Sequence, residues 1–128
     1  MRAQILLTQR QLHNERTIQI ERQLSTLRAE QAQAQKEFGQ MEDRLVDFDQ
    51  ELRSETDPEK RATLEDAIRQ VTRSRERTKD SQEQLQVREN ELTETLSREQ
   101  AEVDRVQRDL DRIEKDLDEL QSRVAKKP

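Results

Sequence analysis

In this chain of 128 residues, the side chains whose types could do chemistry are the single histidine, His13, and the carboxylate pairs Asp109/Asp111 and Asp116/Asp118. An imidazole beside a carboxylate can move a proton or hold a metal, and two convergent carboxylates can divide acid and base work. Neither arrangement is set up here. His13 sits among Arg10, Gln11, Asn14 and Arg16, with no nucleophile and no ligand cluster near it in sequence. That context fits a residue at the edge of a helical seam, satisfied by Glu99 or water, or a weak pH-sensitive contact. Acids spaced by two point to different sides of a helix and cannot converge. The run from Arg108 to Asp116 alternates carboxylates with Arg and Lys, the pattern of a solvated face that neutralises itself. No glycine-rich phosphate loop, HExxH, paired CxxC or nucleophile elbow occurs, and the absence of cysteine rules out thiolate metal sites and disulfides. The sequence offers no catalytic residue, no cofactor site and no metal site, and the protein reads as a non-enzyme.

One charged segment stands out. Arg69, Arg73, Arg75, Arg77 and Lys79 face a single acid, Glu76, with Thr72, Ser74 and Thr78 between them. Such a patch could take a phosphate or an acidic partner, or be read through phosphorylation. The alternative is neutralisation of Glu37, Glu42 and Asp43 across a folded-back chain. Nucleic acid is not expected as a partner, because the net charge is −5 and no aromatic residue interleaves with the basic ones.

The elements that must position these residues follow from composition and period. Only 29% of the chain is hydrophobic, 41% is charged and two residues are aromatic, too little apolar surface for a globular core. Disorder is disfavoured because the apolar residues keep a strict period. A first ladder steps by fours and threes through Ile20, Leu24, Leu27, Gln31, Ala34, Phe38, Met41, Leu45, Phe48 and Leu52. A second runs through Leu64, Ile68, Val71, Arg75, Thr78, Gln82, Leu85, Glu89, Leu92, Leu96, Glu99, Val103, Val106, Leu110, Ile113, Leu117, Leu120 and Val124. Both are a/d seams of a coiled coil. The longest apolar run, Ile5-Leu6-Leu7, is far short of the roughly 18 residues of a membrane span, so no membrane insertion is expected and a soluble protein, with the cytoplasm slightly favoured, is the reading.

The ladders are separated by Ser54-Glu55-Thr56-Asp57-Pro58-Glu59. Thr56 with Glu59 fits a capping box, and Asp57 with Pro58 in the first helical turn is the alternative start. The expected fold class is all-α: an antiparallel coiled-coil helical hairpin forming a single unit over residues 1–128, with helix 1 over about 2–54, a turn near 54–58 and helix 2 over about 57–126. A continuous parallel rod is the rival, but the phase of the seam jumps at the proline, as it would if the chain turned round. Folding back would set residue i opposite roughly residue 113 − i. Phe48 then faces Leu64, Leu45 faces Ile68, Met41 faces Val71, Ile20 faces Leu92, Gln31 faces Gln82 and His13 faces Glu99. Two pairings fit poorly, Phe38 with Arg75 and Leu24 with Glu89, which makes the stretch from Arg75 to Glu89 the weakest and the one to bend or bind. Flank charges agree with this arrangement: residues 1–28 carry net +3 against −3 for 85–112, and residues 37–55 carry −5 against +1 for 58–76.

Gly39 either marks close approach of a partner helix or is a tolerated surface glycine, and Lys126-Lys127-Pro128 either complements a helix C-terminus or is a cut end. By the pairing arithmetic Met1 faces residue 112, so the sixteen residues beyond have no internal partner, although Ile113, Leu117, Leu120 and Val124 form the cleanest heptad. Ile5, Leu7, Leu12 and Ile18 lie off the seam at the same end and suggest a second contact face. These residues form the expected interface for a protein partner, either a second copy, giving a dimer or four-helix bundle, or other parts of a larger coiled-coil protein. The functional expectation is a structural spacer, scaffold or oligomerisation element. The alternative is a small helical adaptor or chaperone-like protein that binds a client helix along the weakly packed middle and the 113–124 seam. No motif assigns a family.

Overall fold

A computed structural model describes residues 2–125. Two helices make up the fold, α1 (Arg2–Ser54) and α2 (Pro58–Ala125), and they pack against each other as an all-α antiparallel hairpin, as the phase of the ladders required. Both are rich in Gln, Glu, Arg and Leu, which lose little rotamer freedom in a helix, and neither has an internal proline. Residue 126, expected to end the second helix, and the Lys126-Lys127-Pro128 segment lie outside the described residues.

The turn is built from local hydrogen bonds. Asp57 is the N-cap of α2: its Oδ1 accepts from the Glu59 N–H at 3.1 Å, and its carbonyl accepts the Arg61 N–H at 2.9 Å. Pro58 takes the first helical position, where its missing N–H leaves nothing unsatisfied. Of the two starts legible in the sequence, the chain uses Asp57. Glu59, in the first turn, and Arg53 and Arg123, in the last turns of α1 and α2, complement the helix dipoles.

Arg61 joins the two sides of the turn. Its Nη1 donates to the carbonyl oxygens of Leu52 and Glu55, each at 2.8 Å. The last carbonyls of a helix have no intrahelical partner, so a guanidinium placed there from the next helix satisfies two of them at once. Ser54 Oγ donates to the Gln50 and Glu51 carbonyls and tightens the same end.

The structure divides into two compact units. One pairs the segment up to Leu24 with the segment from Glu91 onward. Its core holds Leu6, Ile20, Leu24 and Val106, with Leu24 3% and Val106 1% exposed. The other is Ser25–Asn90, where Leu27 is buried and the rungs Phe38, Met41, Leu45 and Phe48 are half-buried. Every rung of the first ladder and every rung of the second as far as Ile113 is buried or half-buried, while Val46 and Val87, which fall off the ladders, are exposed.

The cross-helix side-chain bonds locate the pairing register. Within the Ser25–Asn90 unit Thr78 Oγ1 donates to Met41 Sδ at 3.9 Å, and Arg28 Nε donates to Glu89 Oε1 at 3.5 Å. Within the other unit Arg10 Nη1 donates to Gln107 Oε1 at 2.7 Å. The residue numbers joined by these bonds sum to between 112, for His13 with Glu99, and 119, for Met41 with Thr78, which brackets the expected 113; at their mean of about 116, a-type rungs of one helix lie level with d-type rungs of the other, the usual layering of antiparallel seams. Leu24 is then level with Leu92 instead of Glu89, consistent with its almost complete burial, and Gln31 is level with Leu85 instead of Gln82. At that register Glu89 lies level with Leu27 and Arg75 with Met41, so two charged rungs still face apolar ones.

Candidate partner-binding surface

The unit containing the chain ends carries the surface, and its inner boundary is polar. His13 Nδ1 lies 2.5 Å from Glu99 Oε2, as the facing rule required, and Arg16 Nη1 approaches the other carboxylate oxygen at 3.7 Å. One turn nearer the end, Arg10 holds Gln107, whose Nε2 donates to Asp111 Oδ1 at 2.9 Å. These side chains interrupt an apolar seam yet are fully partnered. Among the described residues no buried side-chain nitrogen or oxygen lacks a hydrogen bond. The same continuity of partners explains why the ladder, read from apolar types alone, begins at Ile20: the steps run on through Thr17, His13 and Arg10 to buried Leu6, which the polar interruption hides.

Beyond this layer the seam loses its cover. Ile113 is still half-buried, so the free stripe starts later than expected, at Leu117. Leu117, Leu120 and Val124 are exposed to 54%, 57% and 68%. A groove leads into them, with Leu7 and Ala3 on one wall and Leu110, Ile113 and Leu117 on the other. Among the off-seam residues, Ile5, Leu7, Leu12 and Ile18 are all exposed, but helical periodicity divides them. Ile5 and Leu12, seven apart, share one flank of α1, and Leu7 and Ile18, eleven apart, share another. Leu7 is the member that the structure brings to the groove; Ile5 borders a separate shallow depression with Gln4, Thr8 and Gln9.

The basic segment lies in the other unit and is described by itself. Arg69 is held by Asp66 one turn back, and the hydrogen bond and charge of that carboxylate raise the guanidinium's pKa further. Arg73, Arg77 and Lys79 are exposed and Arg75 is half-buried. Among the described residues none of these four makes an ion pair, and none reaches Glu37, Glu42 or Asp43. Arg69, Arg73 and Arg77 step by four along one face, so the patch is a stripe on a single helix with no second wall.

The carboxylate pairs do not converge. Asp109 and Asp111 point apart, with Asp111 occupied by Gln107, and Asp116 and Asp118 are both exposed. No group of three His, Asp or Glu side chains among the described residues could hold a metal, and no described helix is long and apolar enough to cross a membrane. Gly39 does not mark a close approach within the chain, since a Cβ there would meet nothing within 4 Å. The seam positions left exposed are the apolar rungs Leu117, Leu120 and Val124.

Fold and surface together define the class: a two-helix antiparallel coiled coil whose seam runs past its own pairing. No family model matches the chain, and no curated protein or solved structure matches it either.

Proposed function

We propose that the protein is a structural coiled-coil element, a spacer or scaffold that joins chains by helix–helix association and works mechanically rather than catalytically. The observation that supports this reading is the stripe Leu117, Leu120 and Val124: three consecutive rungs of a heptad ladder, each more than half exposed, continuing a seam that is covered everywhere else. Half-exposed aliphatic side chains repeated at heptad spacing gain free energy when another helix covers them, on the order of 1 kcal/mol each. Paired polar rungs such as His13 and Glu99 suit a rod that must hold one register under load. Its partner, on this reading, is a second copy of the chain.

The test is sedimentation velocity across a dilution series of the full chain and of Leu120→Asp. The full chain should associate reversibly, and the variant should stay monomeric while keeping its helical circular dichroism. A strictly monomeric full chain at high micromolar concentration contradicts the reading.

A further inference from the structure

The exposed stripe carries enough chemistry to say how two copies meet. We propose that they join tail to tail and antiparallel, with Leu117 level with Leu120 of the second copy, Ile113 level with Val124 of the second copy, and Asp116 of each copy paired with Arg123 of the other. The inference rests on the association reading above and adds the occupant's orientation and register.

Three observations carry it. First, a-type rungs lie level with d-type rungs in an antiparallel seam, and that layering falls midway between the hairpin's two rung-to-rung bonds, His13 with Glu99 and Thr78 with Met41. Applied to two antiparallel tails, that layering stacks Ile113, Leu117, Leu120 and Val124 of one copy on Val124, Leu120, Leu117 and Ile113 of the other. All four layers are apolar. Secondly, the flanking positions are complementary in this register, whereas sliding one heptad inward sets Asp116 against Asp116 and needs Val106, which the hairpin already buries. Asp116 and Arg123 occupy the g-type flank, and two antiparallel tails so layered bring Asp116 of each beside Arg123 of the other, twice by symmetry; Glu114 and Gln121 meet on the e-type flank. Sliding one heptad outward sets Arg123 against Arg123 and loses two apolar layers. A parallel pairing sets Asp109 beside Glu114 of the other copy. Among the described residues Arg123 has no ion pair, and Asp116 is exposed, so both face outward for a partner.

Thirdly, the structure has a seat for the end of the incoming tail. Val124 of the second copy arrives level with Ile113, where the groove between Ala3 and Leu7 on one side and Leu110, Ile113 and Leu117 on the other opens over about 250 Å³. This explains why Leu7, off the seam, is apolar: it forms the wall against which the visiting valine packs. The contact is isologous, so each copy gives one tail and one groove, and the assembly closes at two.

Because the chain has no cysteine, disulfide trapping reads the register directly. Full-length Asp116→Cys and Arg123→Cys proteins are mixed and oxidised mildly, and the products are resolved by mass spectrometry. The mixed disulfide should exceed the two self-disulfides. Independently, Asp116→Arg should weaken association about tenfold by setting like charges at both flank contacts, and Asp116→Arg combined with Arg123→Asp should restore it. A dominant Arg123→Cys self-disulfide, or failure of the charge swap to rescue, overturns this register while leaving association intact. Absence of any dimer in sedimentation overturns both proposals, and the unchanged circular dichroism of the variants separates either outcome from misfolding.

Discussion

The guanidinium of Arg61 donates to the carbonyl oxygen of Leu52 at 2.8 Å, so the first turn of α2 caps the last turn of α1. With its second bond to the Glu55 carbonyl, this side chain ties the two helices where the chain reverses. Removing it strands two backbone acceptors at a half-buried site. Arg61→Ala should lower the unfolding free energy by about 1.5–3 kcal/mol in urea titrations, the range for hydrogen bonds to charged donors. Arg61→Lys keeps the charge but not the fork and should recover only part of the loss. If both variants unfold with the parent, the clamp contributes nothing.

Asp57 and Thr56 were equivalent candidates for the start of α2, and the structure separates them. Asp57 Oδ1 holds the Glu59 N–H, whereas Thr56 makes no such bond. Asp57→Ala should cost about 1 kcal/mol in thermal unfolding and Thr56→Ala close to nothing. The reverse order of melting temperatures would mean that helix α2 begins one residue earlier.

At Gly39 a methyl group would meet open space, and the backbone there does not have positive φ. Gly39→Ala should therefore stabilise the fold by about 1 kcal/mol, through helix propensity and a less mobile unfolded chain. Destabilisation measured in dilute solution would show that a backbone approaches this position in the working assembly.

Much of this architecture was legible in the residues because one-dimensional period translates directly into a buried stripe. Ile20, Leu24 and Leu27 in one ladder and Val106 in the other are where spacing put them, and Leu117 to Val124 are bare as the surplus length required. The register was less legible: loop length fixes it to within a few residues, and the last step depends on how a and d knobs interleave, which the bonds from His13 to Glu99 and from Thr78 to Met41 bracket on either side. Arg61 left no signal at all in an apolar ladder, since its partners are backbone carbonyls. A search for a cation one turn after a helix start, facing the end of the preceding helix, would have found it. The candidate surface was legible in its rungs but not in its division, since only Leu7 of the four outlying residues reaches the groove.

The last prediction concerns the polar rung. His13 and Glu99 are each less than one-fifth exposed and lie 2.5 Å apart, with Leu96 and Val103 on either side of Glu99 in α2 and Arg10 and Thr17 on either side of His13 in α1. Replacing one partner alone leaves a desolvated group facing hydrocarbon: His13→Leu should cost about 1–3 kcal/mol, softened by Arg16, which still reaches Glu99 at 3.7 Å. Replacing both with leucine removes the desolvation and adds an apolar layer between Leu6 and Ile20, so the double variant should be at least as stable as the parent and show a strongly non-additive cycle. What the pair contributes is register. Without it, sliding by a heptad no longer separates matched polar groups, and the double variant should show a broadened distance between spin labels placed at positions 9 and 102, where the parent gives one narrow peak. A single narrow peak in both proteins would assign the register to the apolar rungs and the Arg61 clamp alone.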